Sequence, residues 1–367
     1  MSDARIDAGP DRRQFFKAAG AGVAAAGAAL LSRDDAQAQS LAEKNRWDRI
    51  ASCSYPIRSI FKTRASAAGG TQNPTTLQLK QQYGEITMLD FPQFTKDTFA
   101  GVTHMDLYSA LFGDVTDDTM FTQSAGRTFD PSSASGRKWL DALANTLVTT
   151  GTKVQHISNN APTSLADANP DVRKAGVAIA KRWLDGCAVL GVKSMRMNSP
   201  QALGPSVRPQ AVPRSGDGYP RNEAIVPYLD GAIESYKEMA DHGGNLGIRV
   251  TLENHWGLAA DPMNIRIIID EVNHPYCEAS PDFGNWEYDY MLFSGLKALA
   301  PYAHTNVHAK YWDRWGPKND VQRSVRIMLA AGYTGTFALE YETGPLNGIE
   351  GAKYLYKEVL AALSTPV

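Results

Sequence analysis

Apolar β-type runs alternate with helix-length patterns eight times between Arg49 and Leu363, which predicts an α/β chain folded as a TIM (β/α)8 barrel. Two further observations support that class. Once an N-terminal segment is set aside, about 329 residues remain, a length that suits one large barrel, and no linker splits them. In addition, Glu253, Asp282, His308 and Glu340 each end an apolar run, at intervals of 29, 26 and 32 residues. Each interval is the length of one strand-plus-helix unit, and in a parallel barrel that period returns successive strand ends to one rim. The alternative is an open doubly wound sheet. It needs a Gly-rich phosphate loop after the first strand, and Ser54-Tyr55-Pro56 is nothing like one.

Taken in order, the first strand is read over Arg49–Tyr55, followed by a polar, Gly-rich stretch from Lys62 to Gln82 expected to be a loop over one face. Phe91–Phe99 reads as a helix and Gly101–Tyr108 as strand two. A helix over 135–149 leads to strand three, Lys153–Ser158, and the apolar spacing of 171–190 gives a helix before strand four, Val192–Asn198. Residues 200–222, rich in Pro, Gly and Arg, read as a second long loop. A helix over Glu223–His242 is expected to stop at Gly243-Gly244. Strand five is Ile248–Asn254 and strand six Cys277–Asp282, with a helix over 263–272 between them. A helix over 288–302 precedes strand seven, Thr305–His308. Another over 320–331 precedes strand eight, Thr336–Tyr341, and Gly348–Leu363 is the closing helix.

The first 38 residues read as an export signal rather than as part of the fold. Asp11-Arg12-Arg13-Gln14-Phe15-Phe16-Lys17 pairs arginines with aromatics. A weakly apolar stretch, Ala18–Leu31, follows, and then a small-x-small site at Ala36-Gln37-Ala38. This is similar to a twin-arginine (Tat) signal, which implies the Tat machinery as a partner and a periplasmic or secreted mature chain of residues 39–367. The apolar stretch is too short for a comfortable membrane span, and no stable anchoring is expected. Residues 1–38 carry five basic and five acidic side chains, so their removal leaves the formal charge of −2 unchanged. With no Lys/Arg tract, the chain offers no electrostatic case for nucleic acid or anionic membrane. Cys53, Cys187 and Cys277 are too few and too scattered for a disulfide framework or a thiolate zinc pattern.

Taken singly, a strand-end Glu is usually a salt bridge or a solvated rim charge, and a lone His a satisfied rim residue. The four in register point instead to a metal site. Three carboxylates and one imidazole suit a borderline-hard divalent ion, Mn²⁺, Mg²⁺ or Co²⁺; Zn²⁺ usually draws more His or Cys. Around them lie side chains suited to a polyol. His255 is two residues after Glu253, and Lys310 two after His308, where it can polarise a carbonyl or hold an oxyanion. Asn285 is three after Asp282, Arg314 six after His308, and Arg196 and Asn198 end strand four. Trp256, Trp286, Trp312 and Trp315 follow directly on the ligand segments, where indole faces can stack on sugar C–H faces or simply pack loops on the rim.

The segments Leu252-Glu-Asn-His255, Pro281-Asp-Phe-Gly-Asn285, Val307-His-Ala-Lys310 and Ala338-Leu-Glu-Tyr-Glu342 resemble the xylose isomerase-like superfamily of TIM barrels. The nearer match is its sugar phosphate isomerase/epimerase group, with the inosose dehydratases and ketose 3-epimerases. The resemblance spans the mature chain, with specific motifs only from strand five onward. It implies Glu253, Asp282, His308 and Glu340 as metal ligands, with Glu342 as the fallback for the last. Glu253 and Glu340 would also act as base and acid around an enediolate, with Lys310 assisting. Asn285 departs from the family, since the ketose epimerases usually carry a histidine there. Arg314 stands where they carry an arginine. Expected activities are an isomerase or epimerase of an unphosphorylated sugar or keto-sugar, or a lyase eliminating β to a keto group, with a non-catalytic sugar-binding barrel as a third reading. The superfamily's apurinic endonucleases use several zinc ions, more His ligands and a basic DNA-facing surface; neither the charge nor the expected compartment of this chain supports that reading. Dimers or tetramers are common in the family, which leaves a homo-oligomer as an option.

Overall fold

The computed structural model describes residues 46–63, 74–123, 127–197 and 225–365. The chain divides into Met1–Arg46, of which only Arg46 is described, and a compact unit Trp47–Val367. The expected export signal, Asn198 and the 200–222 loop therefore lie outside the described residues.

Eight parallel strands form the sheet: β1 Ile50–Cys53, β2 His104–Tyr108, β3 Lys153–Ser158, β4 Ser194–Arg196, β5 Arg249–Leu252, β6 Cys277–Ala279, β7 Asn306–Trp312 and β8 Thr336–Thr343. They pair in the order β6-β5-β4-β3-β2-β1-β8-β7, each with its neighbour in sequence or, for β1 and β8, first with last. The two edges meet at a parallel bridge between Asp282 and His308, where Phe283 N donates to the His308 carbonyl (3.0 Å) and His308 N to that of Pro281 (3.1 Å). The sheet thus curls on itself as expected of a TIM barrel, and its seam falls on two of the sequence-expected ligands. The strands are buried almost throughout, as a parallel sheet covered by helices requires.

The helices are α1 Pro74–Tyr83, α2 Phe91–Thr98, α3 Ala134–Thr150, α4 Pro170–Cys187, α5 Val226–Leu246, α6 Pro262–Val272, α7 Met291–Leu299, α8 Val321–Ala330 and α9 Gly348–Ser364. Side-chain caps start many of them. Ser133, Asn169, Asp261, Asp320 and Asn347 accept first-turn N–H bonds for α3, α4, α6, α8 and α9, and Pro170 and Pro262 pre-set the first helical turn. No helix among the described residues is long and apolar enough to cross a membrane. Cys53, Cys187 and Cys277 are free and buried.

Three sequence expectations change. The 62–82 stretch is not simply a loop, because its described part forms α1. Pro74 opens that helix and Leu, Gln and Lys fill it, but none of its side chains is buried, so no apolar stripe betrayed it. Helix α5 does not stop at Gly243-Gly244. It continues to Leu246 and ends at Gly247, whose φ of +72° is the left-handed cap. Gly243 serves packing instead, since a Cβ there would sit 2.4 Å from the Ile248 carbonyl of the following chain. Strand β7 does not end at His308 but runs on to Trp312, paired with β8 through Lys310↔Glu340 and Tyr311↔Tyr341. The stacked Tyr311 and Tyr341 rings, 5.2 Å apart, help hold this extension.

Candidate metal and carbohydrate site

Glu253 follows directly on β5 and Asp282 lies three residues beyond β6, whereas His308 and Glu340 lie within β7 and β8. All four converge. His308 Nδ1 lies 3.6 Å from Glu253 Oε1, 3.9 Å from Asp282 Oδ2 and 3.5 Å from Glu340 Oε2. Glu253, Asp282 and His308 are completely buried and Glu340 is 7% exposed. Buried polar atoms ordinarily find partners, yet His308 Nδ1 and Asp282 Oδ2 make no hydrogen bond. Glu253, Asp282 and His308 each offer an atom within 4.8 Å of the others, with Glu340 Oε2 beside His308, and this all-N/O set fits a divalent cation.

Each acid has its own support. A guanidinium nitrogen of Arg196 pairs with Glu253 Oε2, and Asn285 Nδ2 donates to its Oε1 at 2.8 Å. Burial would raise the Glu253 pKa, but the Arg196 and His308 charges outweigh it and hold the group well below the usual carboxylate range. Asp282 Oδ1 accepts from the Gly284 and Asn285 amides at 2.6 and 2.9 Å. Its pKa is pushed up to about 7, by burial first and then by Glu340 and Glu253, against the pull of Lys310. The Lys310 ammonium donates to Asn285 Oδ1 (2.9 Å) and lies 3.2 Å from Asp282 Oδ2, 3.0 Å from Glu340 Oε1 and 3.2 Å from Glu342 Oε2. Those carboxylates overcome burial and keep Lys310 charged. His308 is likewise pushed up against burial, chiefly by Glu340 and Glu253.

The remaining sequence candidates divide. Glu342 faces away from the His308 group: its Oε1 accepts from the Tyr55 hydroxyl at 2.9 Å and its Oε2 meets Lys310. Glu340, not Glu342, is thus the carboxylate beside His308. Asn285 joins Glu253 to Lys310, and Arg196 also reaches Asn160 Oδ1 at 2.6 Å. His255 packs edge-on to Trp256, which packs edge-on to Trp312. The Arg314 guanidinium lies 4.5 Å from the Trp315 ring and 5.2 Å from that of Trp312, and donates to the Glu287 carbonyl at 2.8 Å. Trp256, Trp312 and Trp315 are half-buried, which leaves indole surface open. Of the two readings given for the four indoles, Trp286 takes packing, in the core and not on the rim, and is not placed as a substrate contact. It is fully buried in the core, packed so closely on Gly295 of α7 that a Cβ there would lie 2.4 Å from the ring.

Sequence reading missed several polar residues under the site. Asp106 on β2 bonds His308 Nε2 at 2.8 Å, and Ser158 Oγ donates to Asp106 Oδ1 at 2.9 Å. His156 on β3 sits 5.8 Å from the His308 ring and bonds Ser194 Oγ at 2.8 Å. Burial lowers its pKa to about 4 and keeps it neutral. Asn254 ties the ends of β5 and β6 together, donating to the Asp282 carbonyl (2.9 Å) and accepting from its amide (2.7 Å). For Asp106 and His156 the available signal was a polar residue two positions before a strand end, which marks many structural residues too.

The fold is that of several solved barrels. A xylose isomerase-like TIM barrel protein from Mycobacterium smegmatis, in complex with magnesium, is 19% identical over 86% of this chain and 97% of its own, with a TM-score of 0.52. The 3-keto-D-glucoside 4-epimerase of E. coli is 14% identical over 74% of this chain and 94% of its own (TM-score 0.51). A D-allulose 3-epimerase from Methylomonas sp. is also 14% identical, over 81% and 84% (TM-score 0.51). At such identities these likenesses show the fold alone. No curated protein matches the chain. The family model described as xylose isomerase-like TIM barrel matches residues 120–363, well over half of the sequence, and the chain belongs to that family.

Proposed function

We propose that this protein is a divalent-metal-dependent isomerase or epimerase of an unphosphorylated sugar or keto-sugar, working by removal of a proton beside a carbonyl. The observation that carries this reading is the convergence of Glu253, Asp282 and Glu340 on the orphaned Nδ1 of His308. A divalent ion bound by these four would supply Lewis-acid stabilisation of the charge that develops on the substrate oxygens. Arg196 keeps Glu253 ionised, so its carboxylate is available at neutral pH to take the α-proton. Glu340 enters from β8, separated from β5 by β6 and β7 in the strand order, and is the second carboxylate able to return a proton. The Lys310 ammonium, fixed by Asn285, can hold a substrate oxygen. Trp256, Trp312 and Trp315 around Arg314 give the rim aromatic faces for sugar C–H groups. The epimerases of like fold, acting on a 3-keto-glucoside and on D-allulose, support the substrate class. Residues 1–38 are retained in this proposal as a twin-arginine export signal, which favours substrates outside the phosphorylated cytoplasmic pools.

The test is α-proton exchange in D₂O, followed by NMR on a panel of keto-sugars with Mn²⁺, Mg²⁺ or Co²⁺ supplied. Wild type should wash out the α-proton of at least one sugar, and Glu253→Gln should slow that exchange by about 10²–10⁴-fold. Exchange with no sugar would overturn the reading. Formation of an unsaturated product rather than an epimer would move the activity to the lyases.

A further inference from the structure

We infer that Asp106 is the positioning residue that fixes the ring of His308, so that its Nδ1 and no other atom is presented to the metal; the inference rests on the proposed metal site. The geometry is specific. Asp106 Oδ2 lies 2.8 Å from His308 Nε2, across the barrel from β2 to β7 and 202 residues away in sequence. Asp106 is in turn held by two donors from other strands, Ser158 Oγ at 2.9 Å on Oδ1 and Asn306 Nδ2 at 3.1 Å on Oδ2. All four residues are buried, with Asp106, Asn306 and His308 fully so, and no solvent can replace these bonds. The backbone is arranged for it. The β2–β3 register shifts between Met105 and Asp106, so that Asp106 lies opposite His156 and Gln155 is skipped. Irregularities of this kind re-aim a side chain beside a functional site.

The consequence follows from imidazole chemistry. The form of the ring that can hold a cation is the neutral one, which carries a single N–H; a carboxylate can only accept, so in that form the proton sits on Nε2 and the Nδ1 lone pair faces Glu253, Asp282 and Glu340. Ser158 Oγ also lies 3.3 Å from Nε2, but a hydroxyl can donate or accept and so serves either tautomer. Only the Asp106 carboxylate requires the proton on Nε2, and without it a proton on Nδ1 removes a ligand. His308 is thereby also excluded as a proton carrier in the reaction, because its second nitrogen is committed to Asp106. Carboxylates placed behind a ligating histidine in this way typically raise metal affinity 10–100-fold.

Cobalt(II) is the probe, read by its visible absorption and by paramagnetic NMR on the full-length protein. Asp106→Asn should weaken Co²⁺ binding about 10–100-fold. Glu278→Gln, an equally buried change in the barrel that does not touch His308, should bind as wild type. Wild type loaded with Co²⁺ should show one strongly shifted N–H proton, that of His308 Nε2, slow to exchange with D₂O; this signal needs no variant to fold. Wild-type affinity in Asp106→Asn, an equal loss in Glu278→Gln, or absence of the protected N–H would each overturn the assignment while leaving the metal site standing. Failure of wild type to bind Co²⁺ at all would overturn both.

Discussion

Glu278 and Asp282 are completely buried carboxylates four residues apart, and their surroundings give them different work. Asp282 faces Lys310, Glu340, Glu253 and His308 of the candidate metal site. Glu278 accepts from the Thr305 amide, at 3.1 Å on Oε1, and pairs with Arg249 at 3.6 Å from Oε2. Burial therefore dominates and pushes the Glu278 pKa from 4.5 up to about 7. Between those values the unfolded chain gives up the proton while the folded chain keeps it, so stability falls as pH rises through this window and levels off above it. The full loss is about 3 kcal/mol. Urea unfolding from pH 4 to 8 should show this fall in wild type and a flatter profile in Glu278→Gln; parallel profiles would contradict it. The same contrast shows what the sequence disclosed. Glu253, Asp282, His308 and Glu340 stood out because they recur once per strand-plus-helix unit. Asp106, Ser158 and Asn254 did not, because a single polar residue in an apolar strand has the same pattern whether it meets solvent, a backbone or a histidine 202 residues away.

Strands and helices were legible where burial gives a regular apolar pattern. Most central strands and the helices packed on them lie close to where the periodicity places them. Helix α1, with no buried face, gave no such pattern and was missed. The end of α5 was misplaced for another reason: Gly243 and Gly244 have the composition of a helix stop, but Gly243 lets the helix approach β5 closely. This can be tested by Gly243→Ala. Alanine favours helix over glycine by about 1 kcal/mol, yet its Cβ would lie 2.4 Å from the Ile248 carbonyl. Overpacking against backbone should win and destabilise the protein by about 1–3 kcal/mol in urea unfolding; a stabilised variant would show that the glycine serves no packing role. The β7–β8 extension was likewise illegible, because it depends on pairing beyond the barrel rim and not on local composition.

The molecule as a whole is a sheet whose first and last strands pair and whose remaining edges, β6 and β7, meet at Asp282 and His308. The eightfold alternation made that architecture readable, since parallel strands must be separated by crossover helices. It also explains why chemistry gathers in the C-terminal half. Strands β5 to β8 bring one ligand-type side chain each to a point beside the seam, while β2 to β4 supply the residues that hold them: Asp106, Ser158 and Arg196. An ion bound there would join four strands across the one edge that the ladder leaves nearly unpaired, and so should stabilise the fold as well as serve the reaction. Crystals grown with Mn²⁺ and measured at its absorption edge test this arrangement. The prediction is a single anomalous peak in the barrel, about 2.0–2.3 Å from Nδ1 of His308 and from carboxylate oxygens of Glu253, Asp282 and Glu340. An empty map at that point, or a peak bound by other residues, would contradict it.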